Sequence, residues 1–544
     1  MLKILRGSIG QSCLAVLIFF SVFELLLRGA YSVRNAMVDQ VPVPYVLGGD
    51  YGPVPPWLDG LRMLEPDERL LWRGRPGFRQ KYIDNFAPFH TQEERRVVFR
   101  RFFPSGKPAH EASAVWEISL NSEGFRDEEF PREKRKTAFR VICLGDSWTV
   151  GSNVNQDEAF PQRLRAMLKE AYPKADFEVL NMGVFGYTSY HGVQMMARAL
   201  ELEPDMLVLG FAMNESNTAG LRDWSAADGG DEPPPSSPFS FKEGMHGFEA
   251  FFSRNFEAYK LLKYFAQLLA WRPISMGQHL LTHEDSYRGF RWMAESAEKD
   301  SWMRRLVSDY ESNYLEMIRL ARRRGARVVL LYPDFRRESP FLRVLRRISQ
   351  ENGIPLVDGS LLISQAQREA EAELEAKLGL RPPAEPGGNQ GNGEEIEVIF
   401  RVYGEERPVP AAIYLVGTHE KLGKLVPNKL AMADDGTQGD QKASDRVWSY
   451  AARFRRGERL FYTYTNSGRE GHWEGLDVPV LRTLAVEPPP GARRFHAPID
   501  IFGRMNLYAD PWHTDAAGNR LIAGALLEEL KKDGAVRRYL KGRP

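Results

Sequence analysis

The sequence predicts an α/β protein: a three-layer α/β/α sandwich on a five-stranded parallel sheet, with a small all-β sandwich inserted and a transmembrane helix at the N-terminus. Three observations lead there. Five short apolar runs alternate with amphipathic helical segments between residues 139 and 378. Residues 396–487 switch to closely spaced short strands. An apolar stretch of twenty residues, 8–27, follows Lys3 and Arg6.

The first run, FRVICL (139–144), is continuously apolar and ends at Gly145, as expected of a strand buried on both faces. Phe160, Leu164, Met167, Leu168 and Ala171 then recur at helical spacing. FEVLN (177–181), MLVLGF (206–211), ARVVLLY (326–332) and IPLVD (354–358) supply four more strands, with helical segments at about 189–201, 303–324 and 341–352. Strands alternating with helices build a parallel sheet covered on both faces. A long excursion at about 220–300 reads as a loop with added helices. After a helix over 361–378, the Pro/Gly-rich stretch 381–395 is a linker. A helix across 515–532 closes the chain. The expected organisation is therefore a cytoplasmic tip and signal anchor (1–34), an extended N-terminal wrap (35–136), a first part of the α/β unit (137–380), the linker, the β insert (396–487) and a second part of the α/β unit (488–544).

The composition is that of a folded protein: 544 residues, 43% hydrophobic and 27% charged, with 73 Lys plus Arg against 72 Asp plus Glu. That balance gives no basic excess for nucleic acid and no acidic solvating tail. Two cysteines, Cys13 and Cys143, exclude a disulfide framework. Twenty residues at about 1.5 Å each span about 30 Å, enough for a hydrocarbon core. A cleaved signal peptide is the rival reading, but its apolar core is usually shorter and no small-x-small site follows Leu27. A buried soluble helix is the third. Lys3 and Arg6 place the N-terminus in the cytoplasm and the body of the chain outside.

Four blocks carry chemistry. In LGDSWTVG (144–151), Ser147 sits just past a buried strand, at the edge where open α/β sheets bind ligands. A turn rich in Gly, Asp and Ser is the plainer reading. In ADPWHTD (509–515), Asp510 precedes His513 by three residues. His513 is a candidate base for the Ser147 hydroxyl, and Asp510 a candidate for fixing its tautomer; a simple helix entry capped by Thr514 or Asp515 is the alternative. NMGVFG (181–186) and GFAMNES (210–216) follow the second and third strands, so the Gly186 N–H, the Asn214 amide and the Ser147 N–H are candidate oxyanion donors.

Together and in this order, the blocks resemble the SGNH/GDSL hydrolase family of esterases and lipases, over about 137–378 and 498–535. The resemblance maps its name-giving residues onto Ser147, Gly186, Asn214 and His513, with Asp510 completing the triad. The chain has GDSW where many members have GDSL, and Asn214-Glu215 where members commonly show Asn-Asp. NSEGFRDEEF (121–130) is similar to a segment preceding this block in membrane-anchored bacterial members. The resemblance implies an acyl-ester hydrolase needing no cofactor and no metal. O-acyltransfer with the same triad and a non-catalytic glycan-binding protein are the alternatives.

Within the insert, Val416, Gly417, Leu422, Gly423, Trp473 and Glu474 resemble the pattern of starch-binding-type carbohydrate-binding modules. An exposed indole stacks on a sugar face, which makes Trp473 a glycan-binding candidate. Trp448 and Trp473 fit a sandwich core equally well. Asp434, Asp435, Asp440 and Asp445 read as a solvated acidic hairpin, with a calcium loop as the alternative. The expected partners are an acylated carbohydrate or other ester and a membrane, not nucleic acid.

Overall fold

A computed structural model of the chain describes residues 8–38, 43–44, 63–67, 70–83, 115–152, 154–212, 214–215, 251–252, 255–270, 301–334, 339–380, 395–404, 412–424, 426, 428–465, 482–489, 491–502 and 513–542. The N-terminal run is one helix, α1 (Ser8–Val38).

The five apolar runs form one parallel sheet. β1 (Phe139–Gly145) lies second from one edge, flanked by β2 (Phe177–Asn181) and β3 (Met206–Gly210), with β4 (Arg327–Tyr332) and β5 (Leu356–Asp358) beyond β3. The order β5-β4-β3-β1-β2 puts the reversal of strand order at β1, so ligands are expected beyond its carboxyl end. Each strand feeds both faces at period two. Ile142, Leu144, Leu207, Leu209, Val328 and Leu330 meet α4 (Ser189–Glu201), α6 (Ser301–Arg323) and α7 (Pro340–Asn352). Val141, Cys143, Val208, Val329 and Leu331 meet α3 (Phe160–Ala171), α9 (Ala516–Lys532) and α10 (Gly534–Lys541). Local signals agree with these boundaries. Ser339 caps α7, which ends at Gly353 with φ 61°, and Asp358 caps α8 (Gly359–Leu378).

The wrap is partly strand. Leu64–Asp67 pairs with Leu71–Gly74, and Arg79–Ile83 lies between Val43–Pro44 and Val115–Ser119. It ends in a polar clamp on the sheet. The fully buried Arg126 donates to the carbonyls of Glu117 (2.6 Å), Val150 (3.2 Å), Gly151 and Val154 (2.6 Å). Asp127 accepts the Asn181 N–H (2.8 Å) and pairs with Arg165 (2.6 Å). Burial outweighs those donors and holds the Asp127 carboxyl above its usual range. Arg140, fully buried on β1, bonds Glu178 (2.7 Å) and the Leu202 carbonyl (2.7 Å).

The insert is a two-layer β sandwich. β6 (Glu395–Tyr403), β9 (Val447–Arg455) and β12 (Arg494–Ile501) form one sheet; β7 (Tyr414–Gly417), β8 (Leu430–Ala431), β10 (Arg459–Thr465) and β11 (Arg482–Ala485) form the other. The expected boundary at 487 falls short. β12 pairs in parallel with β6, and Ala497 and Phe502 enter the sandwich core, so the structural unit extends to Phe502. The segment does alternate, with Arg494, His496 and Asp500 on one face and Phe495, Ala497, Ile499 and Ile501 on the other; Pro498 inside it and the Pro/Gly run at 488–491 before it mask the strand. Val416 and Leu422 are core residues, and Trp448 is half-buried against that core; Trp473 and Glu474 lie outside the described residues. Asp434, Asp440 and Asp445 bring carboxylate oxygens within 4.8 Å of one another, and Asp434 and Asp440 accept backbone N–H groups of their own hairpin. The insert docks on α8: buried Arg401 pairs with Glu375, and Leu374 and Leu378 pack against Tyr403, Val447 and Ile499.

Arg126 is the sole side chain among the described residues seen to reach the carbonyls of Val150, Gly151 and Val154 together. Removing it leaves them buried and under-satisfied, so Arg126→Met is expected to cost about 3 kcal/mol or more in stability. Denaturant unfolding of the full chain in detergent, compared with exposed Arg319→Met, checks this.

Candidate active site

β1 ends in Gly145, and only glycine fits. A Cβ there would stand 2.0 Å from Thr149 Oγ1 and 2.5 Å from the Gly210 carbonyl. The chain then turns sharply into the short helix α2 (Ser147–Val150), whose N-cap Asp146 accepts the Trp148 N–H at 3.0 Å. Ser147 is thereby presented at the carboxyl edge of the sheet. Trp148, at the GDSW departure, is buried in the core beneath α9, so the larger ring replaces a leucine as packing and not as chemistry.

His513 arrives from the far side of the insert. Its Nε2 lies 2.7 Å from Ser147 Oγ, across 366 residues of sequence, and the two residues are 7% and 6% exposed. Asp515 caps α9 by accepting the Gly518 N–H; the helix-entry reading and the base reading of this block are therefore compatible. Buried Asn519 locks the approach. Its Oδ1 accepts the Phe160 N–H (3.0 Å), and its amide donates to the Thr514 carbonyl (3.0 Å) and hydroxyl (3.1 Å). Asp510 lies outside the described residues.

The two other blocks meet the first at the same edge. Asn181 donates to the Thr149 carbonyl (2.8 Å) and accepts the Gly183 N–H (3.0 Å), tying the loop after β2 to α2. Gly186 has φ 76°, and a Cβ there would meet the Trp72 ring at 3.2 Å. Trp72 braces that loop by donating to the Phe185 carbonyl at 2.7 Å, while Tyr187 donates back to the Trp72 carbonyl at 2.9 Å. After β3, the hydroxyls of Tyr310 (2.7 Å) and Tyr314 (2.9 Å) both donate to the Phe211 carbonyl. Asn214 follows. Its amide makes two long bonds, to Asp146 Oδ2 (3.4 Å) and the Tyr187 carbonyl (3.3 Å), which places it between the Ser147 and Gly186 loops. Donation to a bound oxyanion would replace one of them.

Two buried titratable groups flank the site. Glu215 accepts the Ser189 N–H and hydroxyl, each at 2.8 Å, and burial pushes its carboxyl up to about 8. His191 stacks on Tyr187 at 4.4 Å, accepts the Thr188 N–H, and is pushed down to about 3 by burial. It is thus a neutral packing group and not a second base.

The structure brings Ser147, His513 and Asn214, with the loop that holds Gly186, to one edge of the sheet. Sequence reasoning did not single out Trp72 or Asn519, and it noted Glu215 only as a departure from Asn-Asp. Only Asn519 carried a usable signal: an asparagine on the apolar stripe of a helix, a costly place unless its amide is satisfied.

Residues 143–380 match the family model of the GDSL-like Lipase/Acylhydrolase family. The match ends at the linker, so His513 lies beyond it. Among solved structures, the chain is similar to the psychrotrophic esterase EstA from Pseudoalteromonas sp. (13% identity, 40% of this chain and 76% of that chain, TM-score 0.22). It is also similar to a GDSL-like lipase from Bacteroides thetaiotaomicron VPI-5482 (12%, 41% and 70%, TM-score 0.20) and to the acetyl xylan esterase AlAXEase (13%, 40% and 76%, TM-score 0.22). No curated protein matches the chain at a significant level.

The sign of the Glu215 effect follows from its raised value. Between the unfolded carboxyl value and about 8, the folded chain holds a proton that the unfolded chain has lost, so stability falls as pH rises through that window. His191, titrating at about 3 when folded, acts in the opposite direction and only below its unfolded value of about 6.5. From pH 6.5 to 8 the wild type is therefore expected to lose about 1–2 kcal/mol more than Glu215→Gln. Unfolding free energies across that range check it, and equal slopes would place the Glu215 proton elsewhere.

Proposed function

We propose that this chain is a membrane-anchored serine esterase that removes acyl groups, with O-acyl groups on surface or extracellular polysaccharide as its substrate class. One observation carries the catalytic part: the 2.7 Å contact of Ser147 Oγ and His513 Nε2 at the carboxyl end of β1. In this reading Ser147 Oγ attacks the ester carbonyl carbon as its proton passes to His513 Nε2. The carbonyl oxygen becomes an oxyanion facing the Gly186 and Ser147 N–H groups and the Asn214 amide. The tetrahedral intermediate collapses, the C–O bond to the alcohol breaks, and His513 returns its proton to that alcohol. Water then gives a proton to His513 and attacks the acyl-serine, releasing the acid and restoring Ser147. Asp510 is assigned to hold the imidazole tautomer that accepts at Nε2.

Anchoring is read from the apolar surface of α1, and the orientation from Lys3 and Arg6. The carbohydrate class rests on the resemblance of the insert to starch-binding-type modules, with Trp473 as its stacking residue. Ser147→Ala and His513→Ala are each expected to lower hydrolysis of an activated acyl ester about 10³-fold or more, and the double variant little further. A fluorophosphonate probe is expected to label the wild type and not Ser147→Ala. Retention of more than about a tenth of wild-type activity in Ser147→Ala would remove it as nucleophile. Acid release from acylated polysaccharide, against acyl-glycerol lipid, tests the substrate class.

A further inference from the structure

The long excursion between β3 and α6 contains a helix, α5 (Glu257–Ala270), that packs against α1. The contact is polar and specific. Glu24, set inside the apolar surface of α1, accepts the backbone N–H groups of Glu257 (2.7 Å) and Ala258 (2.9 Å), the first turn of α5. Arg28, one turn along α1, pairs with Glu24 at 2.9 Å and donates to the Asn255 carbonyl. A carboxylate in an apolar span is costly unless it is paired; here a helix N-terminus and a guanidinium satisfy it. With the span read from the sequence, residues 8–27, Glu24 and Arg28 fall in its last turn and just beyond, at the outer interface; over the apolar stretch Leu14–Val33 of α1 they lie deeper.

The opposite face of α5 has no cover among the described residues. Leu262, Phe265 and Leu269 are 69%, 50% and 90% exposed and recur at spacings of three and four, forming one stripe. Phe251 and Phe256, just before the helix, are also exposed. Lys260 and Lys263 lie off that stripe and are half-buried. On α1, Leu17, Leu25 and Leu26 are exposed as well, so both helices of the pair carry uncovered apolar side chains. Fourteen residues reach only about 21 Å, too short to cross a core of about 30 Å.

We propose that α5 is a second membrane element: an in-plane helix that lies in the outer leaflet interface, hinged to the anchor through Glu24, with Leu262, Phe265 and Leu269 inserted among the acyl chains. The proposal rests on the reading of α1 as an uncleaved anchor. It also gives that reading a structural reason, since cleavage after α1 would strip the first turn of α5 of its acceptor.

The test uses the full chain in phosphatidylcholine liposomes, with single cysteines Leu269→Cys, Leu17→Cys and Glu316→Cys carrying an environment-sensitive fluorophore. Lipids brominated near the headgroup end of the acyl chain serve as quencher. Leu269→Cys is expected to blue-shift and lose about half its emission, as a shallowly inserted helix would, while Glu316→Cys on the exposed face of α6 stays unquenched. Leu17→Cys reports the anchor independently. Quenching at 17 with none at 269 overturns the proposal and leaves the anchor intact. Quenching at neither overturns both. A blue shift at 269 without lipid quenching overturns the proposal in favour of a second copy of the chain on that face. Addition of Glu24→Ala to Leu269→Cys is expected to reduce the quenching, because α5 then loses its tether.

Discussion

The structure is organised around one contact between residues that the chain keeps far apart. Ser147 and His513 stand at hydrogen-bond distance across 366 residues, and under the proposed mechanism such a pair tolerates only about 0.5 Å of misplacement. Two separate clamps supply that precision. On the serine side, Gly145 permits the sharp turn, Asp146 caps α2, and Arg126 grips the carbonyls that follow it. On the histidine side, α9 packs against β1, β3 and α3, and Asn519 joins the entry of α9 to the first residue of α3. Both clamps close on the same layer, the β1–α3 unit. The pair is thus fixed by a rigid scaffold, whatever the intervening chain does.

That independence explains how a whole β sandwich sits between the two halves. The chain enters it through β6 and leaves through β12, and these strands are hydrogen-bonded neighbours running in parallel. The sandwich core is closed by its own residues, while only a small apolar patch and the Arg401–Glu375 pair join it to α8. An interruption built this way adds a folding unit without disturbing the packing under α9.

The sheet was legible because its strands are buried on both faces, which leaves near-continuous apolar runs, and because its helices carry clear periodicity and caps. The serine and histidine blocks were legible because the roles proposed for them demand particular side chains at strand and helix ends. What escaped depends on partners distant in sequence. Trp72 matters through its reach to Phe185, and Arg126 through carbonyls more than twenty residues away; neither leaves a local pattern. β12 alternates cleanly but was hidden by Pro498 within it and by the Pro/Gly run at 488–491 before it. Trp473 and Asp510 lie outside the described residues, so their roles still rest on sequence.

The departure from Asn-Asp at 214–215 has a physical consequence at the site. The longer glutamate reaches the start of α4, where its carboxyl meets both the N–H and the hydroxyl of Ser189, and Asn313 supports that hydroxyl from α6. Burial there is complete, so the carboxyl keeps its proton up to about 8. A neutral acid is what this edge requires under the proposed mechanism. Asp146 already presents a carboxylate beside Asn214, and a second negative charge would oppose an oxyanion forming among the Gly186, Asn214 and Ser147 donors. Desolvation therefore serves two ends with one residue. It pins the loop after β3 to α4, and it holds that loop uncharged where negative charge must develop.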